Sequence, residues 1–280
     1  MLDAALSLLS GSAVSGLEAA LLCLKIITAI FAVICLITTI SKIAARRKKK
    51  AAVSGGVLFL SYLALAVSLV VTLLAGALVA KKRGASVPAT LDELSAPGML
   101  AVLICRLGEW GTGEGVGAWI ESEGLMRLPF AVMNEYEEWQ LAVFLFEAAA
   151  ALVILLRLLR VKQGSGERML SALLLYACCQ VVLESMRMDS CLKIGFVRVS
   201  QVISAVMILA VTLVRARSAG GNAVMIRRGA FVALGTAVVG GLEWALDKTP
   251  VSNVLIYAVM IAVCAGFAAN GACFAQRKEA

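Results

Sequence analysis

AVFLFEAAAALVILLRLLR, residues 142–160, settles the class of this chain. The run holds one carboxylate, Glu147, and no other charge before Arg157. Its apolar residues are continuous rather than alternating, the pattern of a helix in lipid and not of a barrel strand. Comparable runs cover 17–43, 56–80, 96–107, 169–189, 199–214, 229–245 and 251–275. Of 280 residues, 61% are hydrophobic and only 16% are charged, and the mean hydropathy is +0.93. A soluble domain of that length needs far more polar surface. The expectation is an all-α, polytopic helical membrane protein with seven or eight transmembrane segments, forming a single integral membrane domain over 1–280.

The formal net charge of +8 is not a nucleic-acid signal. The basic residues sit in short clusters at the ends of apolar runs, as cytoplasmic loops require. Clusters at 81–83, 157–168, 215–228 and 277–278 fall in every second connection as the helices are counted. That places them inside and segment 108–141 outside. The cluster at 46–50 breaks the alternation: either an early segment does not cross, or the rule is overridden there. The N-terminus opens on Asp3, and the first apolar run is too long for a signal-peptide core, so it reads as a retained anchor. There are eight cysteines without a C-x-x-C pair and no histidine, so no metal site is expected.

The chemistry lies in the polar places. Segment 105–117, CRLGEWGTGEGVG, puts Arg106, Glu109 and Glu114 on a glycine-rich stretch directly after an apolar run that begins at Pro97-Gly98. This spacing predicts a short helix starting at the proline and ending at the glycines. It leads into one long polar connection, and long connections are commonly functional. Tyr176, Gln180, Glu184 and Arg187 are spaced i, i+4, i+8 and i+11, one polar stripe on an otherwise apolar helix. Ionisable groups at membrane depth cost about 2.5–3.5 kcal/mol each on insertion scales, so they face a partner or a wet cavity. Two readings stand: a structural Glu184–Arg187 pair, or a cavity for a lipid or substrate. Glu147 likewise reads either as a packing residue or as part of a site. Gly235, Gly240 and Gly241 suit close helix contact.

These residues resemble the bacterial phosphatidylglycerol–prolipoprotein diacylglyceryl transferase family. Residues 105–117 are similar to its G-R-x-G-N-F-x-N-x-E-x-x-G signature, with Arg106, Gly108, Glu114 and Gly117 in matching places. DELSAPG (92–98) resembles D-L-L-A-P-G, and LPFAV (128–132) resembles F-P-x-A-V. EWQLAVFLFEA (138–148) places Glu147 on the family's glutamate. LYACCQVVLESMRMDS (175–190) is similar to L-Y-G-x-x-R-F-x-x-E-x-x-R-x-D, keeping Tyr176, Glu184, Arg187 and Asp189. GFVRVSQVISA (195–205) resembles the segment that opens the family's last helix, with Ser200, Gln201 and Ser204 in place. The likeness covers about 54–214, leaving 229–275 as an extra C-terminal helical pair.

The resemblance implies transfer of a diacylglyceryl group from phosphatidylglycerol, or another anionic phospholipid, to the cysteine thiol of a preprolipoprotein. It implies a site facing the outer leaflet of a bacterial inner membrane, no cofactor and no nucleic acid. Arg106 and Glu114 become the catalytic pair. Gly108, Glu109, Gly117, Gln140, Glu147, Tyr176, Gln180, Glu184, Arg187 and Asp189 become substrate-binding residues. Several positions depart from the pattern. Leu60, Ser61 and Tyr62 stand where the family has His-Gly-Gly. Glu109 and Thr112 replace asparagines, Gln180 replaces an arginine and Gln140 a histidine. The alternative reading is a non-catalytic relative that binds or senses anionic phospholipid, or acts as a membrane scaffold.

Overall fold

A computed structural model describes residues 77, 80–81 and 86–277, apart from 112, 135, 162–163, 189–192, 195–196, 220–221 and 250–251. The expected segment 17–43, most of 56–80, the basic cluster at 46–50, positions 60–62 and Asp189 lie outside the described residues. The order of elements is α1 (Val87–Gly108), a 3-10 turn (Glu109–Gly111), β1 (Val116–Trp119), α2 (Glu123–Met126), β2 (Ala131–Met133) and β3 (Trp139–Ala142). Then come α3 (Val143–Leu158), α4 (Glu167–Met186), β4 (Lys193–Ile194), β5 (Val197–Arg198), α5 (Val199–Ala219), α6 (Asn222–Lys248) and α7 (Asn253–Arg277). The chain falls into two compact units. One runs through Cys105 and includes Leu155–Met169; the other comprises Arg106–Ile154 and everything from Leu170 onward.

Among the described residues, five helices are long and apolar enough to cross a membrane: α1, α4, α5, α6 and α7. This is the composition of a multi-pass helical membrane protein. The run at 142–160 is shorter than expected, because β3 takes its first residue and α3 ends at Leu158 after 16 residues. At 1.5 Å per residue that is roughly 24 Å, less than a typical hydrocarbon core.

Two further expectations are corrected. α1 begins at Val87 and carries Pro97 in its interior instead of starting there. Pro88 holds the N-terminal place that the sequence pattern assigned to Pro97, and Thr90 returns both its amide and its hydroxyl to the Ser86 carbonyl. The polar connection at 108–141 is not loop alone. It folds into a three-stranded antiparallel sheet of order β1-β3-β2, and β4 pairs with β5 in a second, two-stranded sheet. Strands of two to four residues are too short to give a periodicity signal, so an all-α reading passes over them.

In the larger unit the core joins Leu174, Ala177 and Val181 of α4 to Ile208 of α5, Val239 of α6 and Met260 of α7. Gly235 meets the expectation of close helix contact: a Cβ there would lie 2.5 Å from the Phe267 ring. Gly240 and Gly241 do not, since a Cβ on either would meet nothing within 4 Å.

The smaller unit is fixed by Asp92, which is fully buried. Its Oδ2 accepts the amides of Gly164 and Gly166 at 2.9 Å each, and Oδ1 accepts the Met169 amide at 3.0 Å. One carboxylate thus caps the N-terminus of α4, where helical amides lack internal partners and the helix dipole favours negative charge. Gly166 turns into the cap with φ 82°, and a side chain there would press on Pro88. Asp92→Ala strands three amides and is expected to cost about 3 kcal/mol or more, with Asp92→Asn between it and the parent. Thermal unfolding of the detergent-purified variants checks this; an unchanged melting temperature for Asp92→Ala refutes the cap.

Candidate functional site

The larger unit gathers the polar residues that the sequence leaves scattered. Arg106 comes from the last turn of α1 and Glu109 from the 3-10 turn that follows. Glu147 comes from the second turn of α3 and Arg187 is the first residue after α4. These four form a closed ring of alternating charge. Arg106 NH1 meets Glu109 Oε1 at 2.6 Å, and Arg106 Nε meets Glu147 Oε2 at 2.6 Å. Arg187 NH1 stands 3.5 Å from Glu147 Oε1 and 3.9 Å from Glu109 Oε2.

The ring has an inner and an outer edge. The side chains of Glu147 and Arg187 are 1% and 3% exposed, while those of Glu109 and Arg106 are 15% and 18% exposed. Arg106 therefore lies on the more exposed edge of the ring and Arg187 on the inner one. Short charge-assisted bonds of this kind are strong, yet the desolvation they offset is large, so their value lies in fixing geometry. The Tyr176 hydroxyl stands within hydrogen-bonding reach of Arg106.

The inner edge continues into a second cluster. Gln180 Nε2 donates to Glu184 Oε2 at 3.0 Å and, more distantly, to Glu147 Oε1 at 3.5 Å. Glu184 Oε1 faces Arg198 NH1 at 3.6 Å, and Arg198 NH2 donates to the Arg187 carbonyl. The bond between Glu184 and Arg187 proposed by their spacing is therefore not the pairing observed. Three residues apart at a helix end, they share a backbone bond from the Arg187 amide to the Glu184 carbonyl at 3.3 Å, and their side chains turn to Arg198 and Glu147.

The glycine-rich stretch builds the wall of this site. Gly113 and Gly115 hold φ of 63° and 69°, left-handed conformations that favour glycine. The Gly115 carbonyl accepts the Phe144 amide at 2.9 Å, at the start of α3. Gly117 forms a β-bridge with Arg187, and the Val116 carbonyl accepts the Met188 amide at 2.8 Å. A Cβ on Gly117 would lie 2.6 Å from the Met186 carbonyl oxygen and 2.7 Å from Val143. The glycine thus lets a strand touch the end of α4 and set the height of Arg187. Trp110 lies edge-on to Phe144 with ring centroids 5.8 Å apart, closing the turn over the α3 entry.

Of the residues singled out in the sequence, Arg106, Glu109, Glu147, Tyr176, Gln180, Glu184 and Arg187 come together. Gly108 ends α1, and Gly117 shapes the wall. Glu114 is half-buried on the turn between Gly113 and Gly115. Gln140 is buried in the central strand, opposite Trp119 and Val132. Arg198 and Glu243 are the participants the sequence reading passed over. The visible signal was a charge at each: Arg198 directly before an apolar helix, and Glu243 as the one charge in the apolar run 229–245. Among the described residues, no group of acidic, cysteine or histidine side chains is placed to hold a metal ion. An apolar groove of about 560 Å³ between α6 and α7, lined by Phe231, Leu234, Val238 and Val263, shares no residue with the charged cluster.

A family model described as prolipoprotein diacylglyceryl transferase matches residues 63–216. The match contains Arg106, Glu109, Glu147, Gln180, Glu184, Arg187 and Arg198, and it ends before α6. No curated protein and no solved structure matches the chain.

Gly117→Ala is expected to destabilise the protein by about 1–3 kcal/mol, because its methyl group meets backbone on one side. The loss should be suppressed partly by Val143→Ala, which frees one of the two contacts. Equal melting temperatures for parent and Gly117→Ala refute the close approach.

Proposed function

The chain belongs to the prolipoprotein diacylglyceryl transferase family, and from that membership we propose that it transfers a diacylglyceryl group from phosphatidylglycerol to a prolipoprotein cysteine. The observation that carries this reading is the placing of two guanidinium groups, Arg106 and Arg187, on one shared carboxylate within the family-matched stretch. The setting is the outer leaflet of a bacterial inner membrane, with the basic loops on the cytoplasmic side.

In the reaction proposed, the thiolate sulfur attacks the glyceryl carbon that bears the phosphate ester. A carbon–sulfur bond forms, the carbon–oxygen bond breaks, and glycerol phosphate leaves with the bonding electron pair. Negative charge grows on the departing phosphate, and guanidinium forks are suited to that geometry. Arg106, on the more exposed edge, contacts it first, and Arg187 acts from behind. Glu109 has to yield its place on Arg106 as the phosphate enters. A free thiol has a pKa of about 8.5, so the proton must go to a base. The chain contains no histidine; Glu114, held between two glycines in the turn, is the carboxylate assigned to take it.

A second reading has its own observation. Both guanidinium groups already contact carboxylates, and without histidine the usual neutral-pH proton carrier is missing. In that reading the protein retains the lipid site and binds or senses an anionic phospholipid without turnover.

Expression in cells depleted of their own transferase separates the two. Transfer predicts lipidated prolipoprotein, with Arg106→Ala lowering the rate by at least about 10²-fold. A well-inserted chain that produces no lipidated prolipoprotein, yet retains phosphatidylglycerol on purification, rules out turnover on that acceptor and leaves the binding reading.

A further inference from the structure

We propose that Arg198 is the third guanidinium of the site, supplying from β5 the charge that the resembled pattern carries on α4 at Gln180. We further infer that α6 is joined to the site to hold it, with Glu243 and Gln201 as positioning residues. This deepens the lipid-phosphate reading above and rests on it for the identity of the ligand.

Charge balance comes first. Gln180, which is neutral, bonds Glu147 and Glu184, and Glu109 joins Glu147 through Arg106 and Arg187. Arg106 and Arg187 offset two of these carboxylates. Arg198 faces the third, Glu184, at 3.6 Å. Removing it would leave the negative charge of Glu184 without its guanidinium among residues that are less than a tenth exposed: Glu147, Gln180 and Arg187. That charge would oppose a phosphate as well as the fold. Gln180 donates to Glu184 across one helical turn, where an arginine at the same position would also meet it. The same carboxylate is thus served by a guanidinium from a different element.

Positioning comes second. Gln201 uses both ends of its amide. Its Oε1 accepts the Arg198 backbone amide at 3.1 Å; its Nε2 donates to the Val181 carbonyl of α4 at 3.2 Å and to Glu243 Oε1 of α6 at 2.5 Å. This triple bond set fixes the start of α5 between α4 and α6, at the residue that projects Arg198. The guanidinium is held at its other end by the Arg187 carbonyl. Glu243 is itself buried, and α6 lies beyond the family-matched residues. A carboxylate on a membrane helix is costly unless partnered, and here the partner is the residue that orients Arg198.

The test uses the full chain in nanodiscs of phosphatidylcholine containing phosphatidylglycerol, reading the phosphatidylglycerol retained per protein by mass spectrometry. Arg198→Ser should lower retention about tenfold, as expected for one charge-assisted contact. Arg198→Ser with Gln180→Arg should return it to near the parent. Arg198→Lys should not recover it fully, because an ammonium lacks the fork. Glu243→Gln should give a smaller loss that Gln180→Arg also corrects. An Arg198 that served only to hold the Arg187 carbonyl would not be rescued from position 180, so a folded double variant that stays as poor as Arg198→Ser overturns the proposal. Parent-like retention by folded Arg198→Ser overturns it as well. If Arg198→Ser alone does not fold, a double variant that folds supports the exchange and one that also fails refutes it. If the parent shows no preference for phosphatidylglycerol, the lipid reading fails. The exchange is then decided by melting temperature: rescue of Arg198→Ser by Gln180→Arg sustains it, and absence of rescue ends it.

Discussion

Charge buried in an apolar protein must be met by charge, and the larger unit of this chain is organised around that requirement. Glu147 is the pivot. It is 1% exposed and is shared by Arg106 and Arg187. Without it the two guanidinium groups would have only Glu109 between them, two cations on one carboxylate, and breaking a buried pair in this way costs several kcal/mol. The rest of the architecture serves this meeting. α1 ends where Arg106 can arrive, and the glycine strand approaches α4 closely enough to hold Arg187. β5 returns with Arg198 on the far side. The ring ties together three stretches distant in sequence, at 106–109, 147 and 187.

The membrane setting explains why packing alone would not suffice. Between helices in lipid there is little hydrophobic drive, since lipid tails are as apolar as leucine. Specific fits therefore carry more of the load. Gly235 beneath Phe267 is one, and the hydrogen bond from the Tyr257 hydroxyl to the Ser185 carbonyl at 3.3 Å is another. Glu243 adds a polar tie from α6 to α5. The C-terminal helices are thus bound to the remainder by a few directional contacts placed among apolar ones.

How much of this was legible in the sequence depended on length and on partner distance. Long apolar runs declared the helices, and their ends were recovered to within several residues at α4 and α5. α1 was misjudged because Pro97 looked like a start signal; only the bonds at Ser86 and Thr90 show that Pro88 has that role. The short strands were invisible for want of a period. For the site, the i, i+4, i+8 stripe on α4 correctly placed Tyr176, Gln180 and Glu184 on one face. The pairing of Glu184 was not legible, because Arg198 reaches it from a strand pair whose geometry no spacing rule encodes. Glu243 was opaque for the same reason: its meaning lies in Gln201, 42 residues earlier.

The Asp92 cap has a consequence for the order of assembly. Its three amide partners lie 72 to 77 residues downstream. At the usual 5–20 residues per second of synthesis, roughly 4 to 15 seconds separate the emergence of Asp92 from that of its partners. During that interval a carboxylate destined for a dry interior has no cap to enter. Until α4 begins, the Asp92 carboxylate lacks the three amides that satisfy it in the folded chain. The cap therefore acts as a timing mark: the first described helix is finished only when the chain has returned to collect it.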